Sequence, residues 1–445
     1  MMFRRRSRSL NERELRLWKV GRALVLTFVA AVLVAGGVFY GLVVLLDFQE
    51  IDTTAKLDAK TLFDLVKLSF GVVAGAGALV ALVVAYRRQR VDEAGAHREA
   101  TRLHTERFSQ AVDKLGSDSP AVRLGGVHAL AGLADDAPDD NLRQTCIDVL
   151  CAYLRLPFPS DPGVLPDPLP DGTTPTEERR DAHQNKMDLC HALREVRHTV
   201  LRLIGDHCRI PQGTHRSWQG CDLDLTGVTI DGSIDFSGAS FSGDRVSFDG
   251  AVFSGGTVNF DRASFSRDGV SFDGAVFSGG TVNFVQASFS SGRVFFSRAV
   301  FTGGTVNFGQ AEFTGGMVIF NRAVVSDGTV NFHGVRFSGG IVGFGGAHFS
   351  GGEVVFAEAR FSGGTVGFGG TMFSGSTVSF RGTHFDRWQS SAPTVSFGGA
   401  SFSNGEVDFF GALSHGAPDG LLDAVASAPA TVRFVLPSSW TVVNP

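Results

Sequence analysis

The stretch VSFDGAVFSGGTVNF, from Val246 to Phe260, recurs letter for letter from Val270 to Phe284. The two copies begin 24 residues apart, and each is built from a unit of twelve residues, V-x-F-x-x-A-x-F-S-G-G-x. Variants of this unit continue from Leu223 to Ala412. A period this short and regular predicts a solenoid, in which each repeat packs only against its neighbours.

The spacing of the apolar residues indicates how one coil is built. V-x-F and A-x-F each place two alternate residues on the same face of an extended segment, so both are predicted to be short strands. Twelve extended residues span only roughly 40 Å, a tight perimeter for two Phe, a Val and an Ala, whereas 24 residues give four sides. We therefore predict a four-sided parallel β-helix at 218–412, with about eight 24-residue coils that each rise about 4.8 Å.

The repeat also separates a predicted core from a predicted surface. Phenylalanines at the same place in successive coils are expected to stack on one another. The residues between the apolar ones are Ser, Asn, Asp or Arg, which suit a solvated face. The predicted structural core of the repeat includes Phe248, Phe253, Phe260, Phe265, Phe272, Phe277, Phe284 and Phe289.

Two segments, VNFDRASF (Val258–Phe265) and VSFDGAVF (Val246–Phe253), resemble variants of the pentapeptide-repeat family. The five-residue unit of that family carries a small residue two positions before a central Leu or Phe. The resemblance implies a right-handed, four-sided β-helix and says little about function, because members of the family do many things. In this chain S-G-G-x adds two residues at every second side, which predicts two looser corners per coil where Gly adopts positive φ.

One insertion interrupts the repeat. The segment DRWQSSAPT adds five residues before Val395 and is predicted to bulge from a corner of the solenoid. It carries Trp388, a possible partner contact, since aromatic residues are enriched at binding hot spots. Simple packing of Trp388 against the solenoid wall is the alternative.

Two apolar stretches near the N-terminus are each long enough to span a membrane. Residues 21–46 contain one charge, Arg22, and residues 68–86 contain none. We predict a transmembrane helical hairpin at 20–90, following a basic segment at 1–19. Arginines also follow the second stretch, so both termini are predicted to be cytoplasmic in a multi-pass protein of the cell membrane, with membrane lipid as a partner.

Two glycine pairs lie within these stretches, each with the spacing that allows close helix packing. They are Gly37 with Gly41, and Gly71 with Gly75. The pairs are predicted to pack the two membrane helices against each other. Homodimerisation through the same glycines is the alternative.

Apolar periodicity predicts helices on the N-terminal side of the solenoid. We predict a helical domain at 91–158, in which VRLGGVHALAGLA (122–134) is similar to one helix of a HEAT-type pair. A Pro-rich linker at 159–175 and a helical cap at 176–215 follow. Residues 413–445 are predicted to cap the far end of the solenoid, so that neither edge is left open.

We find no motif in the sequence that indicates catalysis or a cofactor. The five cysteines include no C-x-x-C pair, and Cys190, Cys208 and Cys221 have spacings that match no familiar zinc site. The glycines recur at predicted corners and are not followed by the Lys-Ser/Thr of a phosphate loop. We therefore predict a protein that is not an enzyme and has no metal or cofactor.

The charge balance bears on the class of partner. The formal net charge is −5, and acidic side chains outnumber basic ones from Asp222 onward, which disfavours nucleic-acid binding. We predict a non-enzymatic, membrane-anchored scaffold that presents a rigid cytoplasmic β-helix to a protein partner. Some pentapeptide-repeat proteins resemble a DNA rod and protect DNA gyrase, so the resemblance implies a gyrase-binding DNA mimic as the alternative. A structural rod that associates with itself is the second alternative.

Overall fold

The structure is a computed structural model, and it describes most of the chain from residue 59 onward. The described ranges are 59–159, 161–170, 173–266, 269–290, 292–385, 394–414 and 416–440, with scattered positions between 25 and 40. The chain forms two compact units, Met1–Thr101 and Arg102–Pro445.

In the part of the chain described from residue 59 onward, four helices precede the solenoid and one follows it. They are α1 (Ala59–Leu115), α2 (Pro120–Asp135), α3 (Asp140–Arg155), α4 (Glu177–Arg209) and α5 (Leu421–Ala426). Helices α3 and α4 begin at side-chain caps, because Asp139 accepts a hydrogen bond from Leu142 N and Thr176 accepts one from Arg179 N. The predicted domain boundary at residue 90 falls inside α1, which continues to Leu115.

The predicted membrane segments are described only in part. Residues 21–46 lie largely outside the described part of the chain, and residues 68–86 lie within α1. Where the chain is described, we find no helix with the length and apolarity that crossing a membrane requires.

Short parallel strands form the solenoid and line up in four columns, here called sides 1 to 4. Side 1 is an eight-stranded sheet and side 4 a seven-stranded sheet, whereas sides 2 and 3 belong to one thirteen-stranded sheet. Side 1 contains Leu223–Asp224, Val246–Ser247, Gly269–Ser271, Arg293–Phe295, Met317–Ile319, Ile341–Gly343, Thr365–Gly367 and Thr394–Ser396. Side 4 contains Ser240–Phe241, Ser264–Phe265, Ser288–Phe289, Glu312–Phe313, Arg336–Phe337, Arg360–Phe361 and His384–Phe385.

Sides 2 and 3 are joined by strands that run across the corner between them. Four strands of eight residues begin on side 2 and end on side 3: Val300–Asn307, Val324–Asn331, Met372–Ser379 and Ser401–Asp408. The other strands of side 2 are Thr229–Ile230, Val252–Phe253, Val276–Phe277 and His348–Phe349. The other strands of side 3 are Ile234–Asp235, Thr257–Asn259, Thr281–Asn283, Glu353–Val355 and Val432–Val435.

The register confirms the parallel solenoid of about eight turns that the sequence predicts. Val246 pairs with Val270 and Val258 with Val282, so neighbouring coils are offset by 24 residues. The offset widens where Val366 pairs with Val395, because the insertion lies between them. The predicted glycine corners have the expected backbone, since Gly304 and Gly328 have φ of 70° and 78° at the corner of sides 2 and 3. In the four coils with eight-residue strands, the strand continues through this corner by a local register shift.

The core is a set of stacked phenylalanine columns. Phe248 lies 4.8 Å from Phe272, ring centroid to ring centroid, with the rings nearly parallel, and Phe260 meets Phe248 edge to face at 5.8 Å. All eight phenylalanines named above are at most 1% exposed. Each coil therefore places its rings directly on those of the next, and both ring geometries are favourable for aromatic pairs.

Both ends of the solenoid are covered. At the first coil, Arg155 of α3 pairs with Asp224 and Arg209 of α4 pairs with Asp235. At the last coil, Val432–Val435 adds a parallel strand, and Trp440 is buried against Phe409 with ring centroids 5.4 Å apart. Helices α3 and α4 therefore contact the first coil, and the C-terminal segment packs on the last one.

Two glycines of one coil share a left-handed backbone but differ in their surroundings. Gly274 has φ of 67°, and no heavy atom lies within 4 Å of the position a Cβ would take. In the next two coils Arg298 and Arg322 occupy this turn position with positive φ. Gly280 has φ of 70°, but a Cβ there would lie 2.3 Å from the backbone oxygen of Gly256 in the neighbouring coil.

We expect Gly274→Ala to lower the free energy of unfolding by about 1 kcal/mol, the cost of a left-handed non-glycine residue. We expect Gly280→Ala to lower it considerably more, because the Cβ forces two stacked coils apart. Thermal and denaturant unfolding of the full chain measures both losses. Equal losses at the two positions would contradict the close approach of backbone at Gly280.

Candidate interaction surfaces

Buried phenylalanines fill the interior of the solenoid. Any contact with another molecule must therefore be made by the side chains on its outer walls. Each outward residue lies over the residue at the same position in the next coil, because the strands pair in register. An outward position therefore forms a ladder along the rod. Four ladders of different chemistry distinguish the four sides.

Side 3 carries uncharged polar ladders in its first coils. Thr257, Thr281 and Thr305 pair in one ladder, and an asparagine ladder runs beside it. Asn259 turns back on its own strand end, where its Oδ1 accepts a hydrogen bond from Asp261 N at 3.2 Å. This side agrees with the expectation of a solvated face.

Side 4 changes from serine to charged residues along the rod. Ser264 and Ser288 are followed in the same ladder by Glu312, Arg336, Arg360 and His384. Arg336 pairs with Glu312 at 3.0 Å, and its side chain is 61% exposed. The surface is mixed in sign, and exposed pairs of this kind contribute little to stability.

Sides 1 and 2 carry apolar ladders, so the expectation of polar outward residues is wrong there. On side 2, Val252, Val276, Val300 and Val324 pair in one outward ladder. On side 1, Phe295 pairs with Ile319, and Met317 pairs with Ile341. The sequence alone could have revealed these apolar ladders. Their residues occupy variable positions of the repeat and recur 24 residues apart, which is the offset between neighbouring coils.

A buried polar cluster joins the helices to the start of the solenoid. Asp135 Oδ1 accepts a hydrogen bond from Trp218 Nε1 at 3.1 Å, and Asp135 Oδ2 accepts one from Arg216 Nε at 2.9 Å. His207 Nε2 lies 3.2 Å from Asp135 Oδ2, and the imidazole stacks on the Trp218 ring at 4.2 Å. Sequence reasoning missed this cluster because its members lie far apart in the chain.

The environment of Asp135 fixes its charge. Burial by itself would raise the pKa of the Asp135 carboxyl, but the hydrogen bonds from His207, Arg216 and Trp218 outweigh burial and hold that pKa below its ordinary value. Asp135 is therefore an ionised anchor for three partners, two of which come from the segment that leads into the first coil. This arrangement positions the cap, and no nucleophile is among the hydrogen-bonding partners of Asp135 or His207.

The cysteines are free thiols. Burial raises the pKa of Cys151 to about 12 and the pKa values of Cys146 and Cys221 to about 11, and it also raises the pKa of Cys208. Thiols with raised pKa values stay protonated and are poor nucleophiles and metal ligands. In the ranges that the structure describes, no group of three or more His, Cys, Asp or Glu side chains is arranged to hold a metal ion.

The residues predicted for helix packing and partner contact are only partly described. At Gly37, Gly71 and Gly75 no described heavy atom lies within 4 Å of the position that a Cβ would take. Gly41 and Trp388 lie outside the described residues. Packing at the glycine pairs and contact through Trp388 stay predictions.

Comparison with known proteins bears on the solenoid alone. A family model for pentapeptide repeats, with nine copies, matches residues 218–264. The strand columns that begin in this segment continue in register through the later coils as one solenoid of parallel strands. This chain fits the pentapeptide-repeat family. Searches of curated proteins and of solved structures found no match.

The pentapeptide-repeat solenoid carries its polar and apolar ladders on exposed walls, whereas the polar cluster of the helical cap is buried. Proteins of this family are generally non-enzymatic and structural. The walls here present ladders of threonine, serine, valine and charged residues, which suit contact with another molecule. The one dense polar cluster described above is buried at the cap and serves packing.

Replacing Asp135 tests the role of the cap cluster. We expect Asp135→Asn to lower the free energy of unfolding at neutral pH by about 2 kcal/mol, because buried donors lose a charged acceptor. The carboxyl has a lowered pKa in the folded protein, so its stabilisation is present above the ordinary value of 3.8 and is lost as the pH falls through the folded value. The difference between wild type and variant should therefore shrink below about pH 4.

Asp136→Asn is the matched control, since Asp136 is 71% exposed and lies 3.4 Å from His215 at the surface. Unfolding followed by circular dichroism across pH measures both variants. An equal loss in the control, or a difference for Asp135→Asn that persists unchanged in acid, would contradict the role assigned to Asp135.

Proposed function

We propose that the pentapeptide-repeat solenoid is a non-enzymatic scaffold that binds a protein partner through its outer walls. The observation that carries the proposal is the set of outward ladders, since each side offers a different and continuous chemistry over several coils. A stacked phenylalanine core gives these ladders a rigid support, which lowers the ordering cost of binding. The covered ends leave the walls as the accessible surface of the rod.

Neither alternative function is favoured by the surface. A DNA mimic requires dense negative charge along the rod, but side 2 carries valines and side 3 carries threonines and asparagines in the first coils. A rod that grows end to end requires accessible sheet edges, but α3 contacts the first coil through Arg155 and the C-terminal segment packs on the last coil. Lateral self-association and gyrase binding are therefore outcomes to be distinguished by experiment.

Proximity labelling in the native cell tests the scaffold. We expect a labelling enzyme fused after Pro445 to enrich the same protein or complex reproducibly, relative to the free enzyme expressed at the same level. Enrichment of gyrase subunits would favour the DNA mimic instead. Labelling confined to this chain would contradict the scaffold and favour a self-associating rod.

We further propose that the scaffold is anchored in the cell membrane, with both termini cytoplasmic. The support is in the sequence: the apolar stretches at 21–46 and 68–86 and the basic residues that flank them. We expect the full chain to stay in the membrane fraction after extraction at alkaline pH, as integral membrane proteins do. Complete release by that treatment would contradict the anchor and leave the scaffold proposal intact.

A further inference from the structure

One wall of the solenoid changes its chemistry part-way along the rod. On side 1 the outward ladder runs from Ser247 and Ser271 to Phe295 and Ile319. The ladder beside it runs from Gly269 through Arg293, Met317 and Ile341 to Thr365. Apolar side chains therefore replace serine, glycine or threonine over three successive coils and then stop.

These apolar side chains lie outside the core. The inward positions of the same strands are filled by Val294, Val318 and Val342, each at most 4% exposed. Ile341 is 47% exposed, and Phe295 and Met317 are half-buried. Ile319 is largely covered, and its Cδ1 lies 3.2 Å from the Cβ position of Gly343, so it lies over the glycine of the next coil.

Positive charge frames the apolar residues. Arg293 and Arg322 are both exposed, and among the described residues neither side chain has an ion pair or a hydrogen bond. The chain between Arg293 and His348 contains two acidic residues, Glu312 and Asp327. Glu312 belongs to side 4 and Asp327 to the corner of sides 2 and 3, so neither is on the outward ladders of side 1.

We propose that this surface, the arginine-framed patch, docks an acidic amphipathic helix of a partner protein. The arginine-framed patch consists of Arg293, Phe295, Met317, Ile319, Arg322 and Ile341. The proposal rests on the proposed scaffold function and names the face and the chemistry of the partner. Charge complementarity decides the occupant. Arg293 and Arg322, which have no ion pair within the described part of the chain, accompany exposed apolar side chains and so favour an apolar stripe flanked by carboxylates.

The spacing also suits a helix that lies along the rod. Successive coils rise about 4.8 Å, and one turn of an α-helix rises about 5.4 Å. A helix with apolar residues at i, i+3, i+4 and i+7 would therefore place successive turns against successive coils of the arginine-framed patch. Side 4 lacks such a run, since its outward ladder passes from serine to Glu312, Arg336, Arg360 and His384 and contains no apolar residue.

The repeat itself supplies variants that should fold. Phe295→Ser restores the residue that Ser271 contributes to the same ladder, and Met317→Thr with Ile341→Thr restores the residue of Thr365. This triple variant removes the apolar part of the patch. A second variant, Arg293→Glu with Arg322→Glu, reverses its charge.

The matched control removes a comparable number of side chains from side 4. Glu312, Arg336 and Arg360 are replaced by Ser, the residue found at Ser264 and Ser288 in that ladder. Unfolding curves of all variants check that the solenoid is intact. The control leaves every residue of the arginine-framed patch unchanged.

The experiment measures fluorescence anisotropy of a labelled synthetic helix with the purified full chain. The probe has about 18 residues, with leucines at i, i+3, i+4 and i+7 and glutamates elsewhere, and a second probe carries lysine in place of glutamate. We expect the glutamate probe to bind at least about tenfold more tightly than the lysine probe. We expect the triple variant and the charge-reversed variant each to weaken binding about tenfold, and the side 4 control to leave it unchanged.

Three results would overturn the proposal. The first is equal binding of both probes, or equal binding to wild type and to the patch variants. The second is binding of phosphatidylglycerol vesicles through the patch in place of the glutamate probe, which would indicate a lipid surface. The third is a dimer, measured by light scattering, that only the triple variant loses, which would indicate a second copy of this chain.

Proximity labelling separates this proposal from the scaffold itself. If the triple variant labels the same partners as wild type in the cell, the docking surface lies elsewhere and the scaffold stands. If wild type labels no partner at all, the scaffold fails. Loss of partners in the triple variant, with retention in the side 4 control, is the expected result.

Discussion

The stacking of each coil on the next is the interaction on which the rest of the structure depends. Phe248 N donates to the backbone oxygen of Ser271 at 2.7 Å, and the Phe248 ring lies 4.8 Å from that of Phe272. Backbone hydrogen bonds and ring stacking thus impose the same spacing. A coil of different length would break both, and after the extra residues the pairing resumes with Val366 opposite Val395.

In-register stacking also determines the surface. Each outward position repeats along the rod, so a substitution in one coil changes one side chain of a ladder. Substitutions at the same position in successive coils change the chemistry of a whole side. Side 1 shows the effect, as Phe295, Met317 and Ile341 bring apolar atoms together over three coils. The walls can therefore differ in chemistry while the core that supports them stays the same.

The helical cap depends on contacts of another kind. Asp135 in α2 holds Trp218 and Arg216, while His207 in α4 stacks on Trp218. These groups close the first coil, which has no preceding coil to cover it. At the opposite end Trp440 is buried and covers Phe409, with ring centroids 5.4 Å apart.

The sequence by itself determined the period, the parallel stacking, the number of coils and the phenylalanines of the core, because in a solenoid these depend on neighbours at a constant offset. It also placed helices before the first coil from their apolar periodicity. Only the tertiary structure decided that sides 2 and 3 share one sheet and that Asp135 meets His207 and Trp218. Those relations depend on corner geometry and on contacts between distant segments, and a local pattern of residues does not specify either.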